Sequence, residues 1–344
     1  MSNDRPFSLE PRELKIEVTG ACNLVCAFCY QDQPGKGPAH HAPEDQVLGW
    51  IDWAVDNELP AVRFTGGEPT LHPGIKMLCN YAHLQGRHLI VNTNGLAPAG
   101  LYADLMRVVD FFCLSLPLLD AARLDQISGG RGVLAKKLAF LRQTRAAGRP
   151  VALLTPLLPE NKGRLGEFAR LVQEHPGVIW SPLRLKPTPR NPRPWTQRDA
   201  QDFALEVAEL MERHPAEVKG IHWATPFCAV EPLELGARVF HGRAEECGPH
   251  RSLAVGLEGR LRACYGTRQT LHLAPLAEVL QSPDLRDHAS PACLPENCQA
   301  CIYLERCAGG CRNHLGLVKH QGGWVDHLAG FLPRPGTSGV ADEY

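Results

Sequence analysis

No stretch of the 344 residues is apolar for long enough to cross a bilayer as a helix. The opening residues, Met1-Ser2-Asn3-Asp4-Arg5, lack the apolar core of a secretion signal. Neither sign of charge dominates: 36 Lys and Arg stand against 37 Asp and Glu, giving a net charge of −1 and a pI near 6.9. Without a bulk positive field, binding to nucleic acid or to an anionic membrane is not expected. These absences point to a cytoplasmic protein. The hydrophobic share of 44% is ordinary and supports one large domain with a smaller one.

Cysteine, by contrast, is plentiful, with 13 residues. In a reducing compartment metal ligation accounts for that number better than a disulfide framework does. The placement agrees. Cys22, Cys26 and Cys29 form one group. Cys228, Cys247, Cys264, Cys293, Cys298, Cys301, Cys307 and Cys311 lie in a second stretch, with only Cys79 and Cys113 between.

Short apolar segments alternate with amphipathic ones along the first two-thirds of the chain. Strands are expected at 13–18, 61–65, 88–92, 110–116, 151–155 and 178–185, and helices at 45–57, 74–85, 99–107, 133–147, 162–175 and 197–213. Apolar strands of this length suit a parallel sheet covered on both faces. Six β/α repeats imply an α/β fold, a partial (β/α)6 TIM-like barrel with ligands at the C-terminal strand ends. The first cysteine group follows directly on the first strand. A hairpin is expected over 252–265, turning at Glu258-Gly259. The run 182–194 is rich in Pro and carries Arg184, Lys186, Arg190 and Arg193. Such a run is an anion site or, more commonly, a solvated connector. The expected layout is a lead at 1–12, a core domain at 13–214, a small cysteine-rich domain at 215–332 and a tail at 333–344.

The first group reads C-x3-C-x2-C within Thr19-Gly20-Ala21-Cys22-Asn23-Leu24-Val25-Cys26-Ala27-Phe28-Cys29-Tyr30. Three thiolates on one tight loop can hold three corners of a 4Fe–4S cluster and leave one iron open. A zinc loop is the plainer alternative, though zinc sites usually pair C-x2-C with a second such pair. The spacing, with Phe28 before the third cysteine, resembles the radical S-adenosylmethionine (radical SAM) superfamily. The resemblance implies that SAM binds the open iron through its amino and carboxylate groups. An electron from the cluster then splits it to a 5′-deoxyadenosyl radical. Gly66-Gly67-Glu68-Pro69, after the second strand, matches the superfamily's GGE motif, implied to contact the SAM amino group. Its two glycines permit close approach of backbone. Asn94, in Asn92-Thr93-Asn94-Gly95, contacts SAM or shapes the turn, and Ser115 stands where relatives hold the SAM ribose. There the usual Ser-Leu-Asp-Gly is replaced by Ser115-Leu116-Pro117-Leu118. Arg131 is the nearest candidate for a SAM carboxylate contact. Cys113 shares a strand face with Ser115. It is the candidate catalytic thiol, a hydrogen-atom donor, or else a buried inert one.

The second stretch reads C-x11-G-x4-C from Cys247 through Gly259 to Cys264, then C-x2-C-x5-C-x3-C through Cys298, Cys301, Cys307 and Cys311. Taken alone, the second string also reads as a zinc knuckle. In series, the two strings resemble the SPASM extension of radical SAM enzymes, which holds auxiliary 4Fe–4S clusters. The resemblance implies Cys247, Cys264 and Cys311 on a first auxiliary cluster and Cys298, Cys301 and Cys307 on a second. Cys228 is expected to complete the first, and Cys293 has no place in the pattern. The family's further cysteine after Cys311 is missing. Asp326 or His327 is expected in its stead; otherwise the second cluster keeps an open iron, or only one cluster forms.

The resemblance covers about 14–190 and 228–315. It implies an oxidoreductase that takes hydrogen from a peptide during its maturation, by crosslink, oxidation or epimerisation, with auxiliary clusters handling the substrate electron. A flavodoxin or ferredoxin-type protein is the implied reductant. Residues 1–12 are too few for a leader-binding domain, so a peptide substrate implies a separate recognition protein or no leader. A dehydrogenase or epimerase of a small sugar or aminocyclitol is the alternative. A non-catalytic iron–sulfur or zinc protein is a reading of another class, against which the GGE motif stands.

Overall fold

The computed structural model describes residues 7–31, 40–188, 190–191, 193, 195–246, 248–265, 270–291, 294–312, 317–320 and 323–329. Cys247 and Cys293 lie outside the described residues. Six parallel strands, β1 (Glu13–Thr19), β2 (Ala61–Gly66), β3 (His88–Thr93), β4 (Phe111–Ser115), β5 (Val151–Pro156) and β6 (Val178–Leu183), form a sheet in which each strand lies beside its sequence neighbour. The helices between them are α1 (Glu44–Asp56), α2 (Ile75–Leu84), α3 (Ala99–Leu105), α4 (Ala121–Ser128), α5 (Val133–Ala146) and α6 (Leu165–Gln173), with α7 (Gln197–Arg213) after β6. This is the partial barrel expected from the alternating pattern.

The outer faces of the strands are apolar because the helices cover them. Leu14, Ile16 and Val18 of β1 are fully buried, beside Val47, Ile51 and Ala54 of α1 in the same core. Burying each such side chain is worth roughly 1.5–3 kcal/mol. The inner faces are more polar, with Glu13 and Glu17 on β1, Arg63 on β2 and Asn92 on β3. A separate small apolar cluster of Ile90, Cys113 and Ala152 lies inside. Among the described residues no helix is long and apolar enough to cross a membrane.

Helix α4 was not expected from periodicity. It is bounded instead by its caps: Asp120 accepts a hydrogen bond from Arg123 N at 2.9 Å, and Gly129 closes the end with φ 67°. Helix α6 begins at Leu165, later than expected, because Pro159–Asn161 forms a 3-10 turn. Asn161 holds that turn by accepting from Leu158 N at 2.6 Å and donating to Pro117 O at 2.9 Å.

The expected hairpin is present as β7 (Ser252–Val255) and β8 (Leu261–Arg262). Its placement was not legible. β7 pairs in parallel with β1 through Glu13–Ser252 to Ile16–Val255, extending the sheet to eight strands. The later chain is thereby part of the same sheet. A second hairpin, β9 (Leu317–His320) and β10 (Gly323–Asp326), stands apart.

The end of β10 is tied to the end of β6 by a buried ion pair. Arg184 donates to both carboxylate oxygens of Asp326, at 2.5 and 2.9 Å, and neither side chain is exposed. Asp326 also accepts from Cys311 N at 3.0 Å and Leu328 N at 3.1 Å. Its oxygens are therefore engaged, and His327 sends its Nε2 to Trp195 O at 2.8 Å. Asp326, expected as a cluster ligand, is thus held by Arg184 and two backbone N–H groups, and His327 is held through Nε2. Breaking such a pair leaves a buried charge uncompensated. Asp326→Leu alone should cost roughly 3–5 kcal/mol, with much of it regained in Arg184→Met/Asp326→Leu. Chemical denaturation of the three proteins checks this.

Candidate functional site

The cysteine loop leaves β1 at Thr19 and is held from two sides. Val25 N and Ala27 N donate to Ser128 O and Ile127 O, both at 2.9 Å, at the end of α4. From the other side, Gly67 N donates to Thr19 O and Glu68 N to Ala21 O, both at 2.7 Å. This closure explains the glycine pair. A Cβ on Gly66, whose φ is 129°, would lie 2.1 Å from Thr19 O, and one on Gly67 would lie 2.2 Å from Ala21 O. Only glycine lets the end of β2 reach the cysteine loop.

Glu68 joins the ends of β2 and β3. Its buried carboxylate accepts from Thr70 N (3.2 Å), Thr70 Oγ1 (2.7 Å), Thr93 Oγ1 (2.8 Å) and Asn94 N (2.6 Å). Burial raises its pKa, and those hydrogen bonds oppose the rise. Pro69 starts the 3-10 turn that follows. The Asn94 side chain donates to Asn23 Oδ1 at 2.7 Å and lies 3.9 Å from Cys22 Sγ, so it shapes the cysteine loop. Phe28 is half-buried against the core.

Cys22, Cys26 and Cys29 are all half-buried. Burial pushes each thiol up, Cys26 to about 12, although the Lys137 cation opposes this at Cys26. Thiolates here need a compensating cation, so metal binding must release protons. Among the described residues no three cysteine sulfurs lie within 4.8 Å of one another. A single zinc ion with bonds of about 2.3 Å would gather them closer than that. The donor set suits a larger, multi-iron group.

Two cations serve this loop, Lys137, which sequence reading missed, and Arg190 of the basic run. Lys137 of α5 is buried beneath it and donates to Asn94 O and Ser115 O, both at 2.7 Å. Burial lowers its pKa to about 8, against the pull of Cys26, Glu68 and Cys22. Arg190 donates to Cys26 O at 2.7 Å. Arg131, past the end of α4, is exposed.

Ser115 ends β4, half-buried, and Cys113 lies two residues back on the same inner face. Arg63 Nη1 donates to Cys113 Sγ at 3.2 Å and to Asn92 Oδ1 at 3.1 Å, and its other nitrogens pair with Glu13. Burial raises the Cys113 pKa despite Arg63, which keeps the thiol protonated near neutrality.

The superfamily profile described as "Radical SAM superfamily" matches residues 16–172. A GTP 3′,8-cyclase of Geobacter sulfurreducens is 32% identical over 295 residues, covering 77% of this chain and 84% of that protein. The chain belongs to the radical SAM superfamily. A PqqA peptide cyclase of Xanthomonas campestris is 24% identical over 332 residues, covering 88% of this chain and 82% of the cyclase. Among solved structures, SuiB of Streptococcus suis has the same fold, with a TM-score of 0.71 at 17% identity over 93% of this chain and 77% of SuiB. This radical SAM protein is an enzyme. Membership implies a 4Fe–4S cluster, SAM and a source of electrons, and the loop described above suits them.

Among the later cysteines of this radical SAM enzyme, Cys228, Cys298 and Cys307 lie on short helical turns. Cys298 lies within the short helical segment Glu296–Gln299 and Cys307 ends Leu304–Cys307, with Cys301 between them donating its N–H to Cys298 O at 3.1 Å. Cys228 was expected with the first auxiliary set; Phe227 N donates to Cys307 Sγ at 3.4 Å, which places the 226–228 segment beside the Cys298–Cys307 string. Cys311 is buried, with Lys186 Nζ at 3.0 Å from its sulfur, and Cys264 is half-buried just after β8. The basic run after β6 is therefore not a solvated connector: Arg184, Lys186 and Arg190 each meet a named partner.

Nearby, His222 and His241 stack at 4.3 Å and both direct Nδ1 to Glu246. Despite burial, which would raise it, the Glu246 pKa is held well below the carboxylate range by those imidazoles. The arrangement accounts for itself as an ion-paired cluster. The donor set of two His and one Glu is also the tightest metal-capable group among the described residues.

Two substitutions test this construction. Gly67→Ala should prevent closure of the cysteine loop and strip about four irons per chain, one cluster's worth, from anaerobically prepared protein. Lys137→Met should shift the SAM-binding cluster to a more negative midpoint potential in an EPR-monitored titration, because a nearby cation favours the reduced state.

Proposed function

We propose that Cys22, Cys26 and Cys29 hold the SAM-binding cluster and that the enzyme takes a hydrogen atom from a peptide during its maturation. When bound, the cluster and SAM supply a 5′-deoxyadenosyl radical at the C-terminal ends of the strands. Glu68, Asn94 and Asn23 hold the surrounding loops in place, Gly66, Gly67 and Pro69 shape the turn beside the cysteines, and Phe28 packs the loop onto the core. Ser115 stands at the rim as a ribose contact. Lys137 and Arg190 offset the charge of the thiolates. Cys113, covered by Arg63 and 4% exposed, belongs to the floor of the lumen. Residues 13–214 form the core and 215–332 the auxiliary module, with a flavodoxin or ferredoxin-type donor as reductant.

The peptide reading is carried by the PqqA peptide cyclase, matched over most of both chains. SuiB, with the same fold, has also been solved bound to its precursor peptide SuiA. The lumen agrees in chemistry. Glu17 shares the inner face with the Arg63–Glu13 pair, and the Tyr265 hydroxyl is buried without a hydrogen-bond partner among the described residues. Such a lining suits backbone amides and mixed side chains.

Cys22→Ala/Cys26→Ala/Cys29→Ala should abolish reductive cleavage of SAM to 5′-deoxyadenosine while the iron of the later cysteines remains. Cleavage by the triple variant would overturn the core assignment. Short peptides encoded beside the gene, incubated with SAM and reductant without oxygen, should lose hydrogen or gain solvent deuterium by mass spectrometry. Turnover of GTP or of a small polyol instead would overturn the peptide reading.

A further inference from the structure

The string Cys298, Cys301, Cys307 supplies three thiolates, and a complete 4Fe–4S set needs four. The residues expected to supply the last one, Asp326 and His327, are engaged elsewhere through both carboxylate oxygens and through Nε2. Asp326 is bound to Arg184, Cys311 N and Leu328 N, and His327 to Trp195 O.

A fourth thiol reaches the same place from another part of the chain. The 3-10 turn Phe227–Ala229 is pinned against the cysteine string by three contacts. Phe227 N donates to Cys307 Sγ at 3.4 Å, and the Phe227 ring meets Tyr303 edge-on at 5.9 Å. Pro226 packs on Gly310 so closely that a Cβ there would lie 2.5 Å away. Ala308, Gly309 and Gly310 follow Cys307 with φ of 49°, 71° and 76°, which folds the string back under Pro226. Cys228 Sγ then lies 3.8 Å from Leu328 O, directly after Asp326 and His327 in the chain.

We propose that Cys228 is the fourth ligand of the second auxiliary cluster, completing a set with Cys298, Cys301 and Cys307. This rests on the radical SAM reading above. With four thiolates, that cluster has no iron left for substrate. Cys247, Cys264 and Cys311 remain for the first cluster, so an open iron belongs there, beside the Lys186 cation, rather than on the second.

The test uses the full-length protein, prepared and reconstituted without oxygen, as wild type, Cys228→Ala, Cys298→Ala, Cys264→Ala and the pairs of Cys228→Ala with each of the other two. Iron and sulfide per chain and EPR of the reduced protein are read. Cys228→Ala should remove or alter the same EPR species as Cys298→Ala, with loss of up to about four irons. Adding it to Cys298→Ala should cost nothing more, whereas adding it to Cys264→Ala should remove further iron. Wild-type iron and spectrum in Cys228→Ala would overturn the proposal. So would the reverse pattern, additive with Cys298→Ala and silent with Cys264→Ala. Should Cys228→Ala not accumulate folded, Cys228→Ser decides: an altered EPR spectrum supports ligation and an unaltered one overturns it. 5′-Deoxyadenosine formed by the wild type is measured beside these. Its absence would sink the functional reading while the iron pattern still judged Cys228.

Discussion

The site depends on the hydrogen bonding of β1 along both of its edges. β2 pairs with it on one side and β7 on the other, in parallel register through residues 13–16. A strand held in this way cannot shift by one residue without turning Leu14, Ile16 and Val18 out of the core. Its end is therefore a fixed point, and the cysteine loop begins there. The glycine pair after β2, the end of α4 and the turn after β3 all attach to that loop by backbone hydrogen bonds or by Asn94. Rigid support of this kind lets flexible thiols stay at the separation a cluster requires.

Charge is the second organising factor. Three thiolates in a half-buried loop would repel one another, and burial already keeps them protonated. Positive charge has to be close by and cannot come from solvent. Lys137 rises from beneath, and the run after β6 contributes from the side. That one run reaches Asp326 through Arg184, Cys311 through Lys186 and the Cys26 carbonyl through Arg190. It thus touches both cysteine regions within a few residues, and a change in it is felt at both.

Local period made the strands and most helices legible, since apolar outer faces and amphipathic helices leave a trace in any short window. α4 left a different trace, Asp120 and Gly129 as caps around eight residues, which periodicity passes over. The C-x3-C-x2-C loop and the Gly-Gly-Glu-Pro turn were also readable, because both are contiguous. What could not be read was set by partners far away in sequence. The hairpin at 252–262 gave no sign that it would join β1. The cations after β6 looked solvated because Asp326, Cys311 and Cys26 lie far off in the chain. Cys228 was grouped by order along the chain, whereas its neighbours are decided by how Pro226 and Phe227 pack.

The pairing of β1 with β7 also bears on how the molecule is made. β1 emerges from the ribosome long before Ser252, and at ordinary synthesis rates the wait is on the order of tens of seconds. During it, one side of β1 has open backbone groups next to the cysteine loop. Lys15 and Glu17 on the inner face discourage another strand from docking there in the meantime. Arg184 likewise waits for an Asp326 that is synthesised 142 positions later. The finished fold is thus a late event. The strand that carries the first cysteine loop is paired on both edges only once Ser252–Val255 has been made.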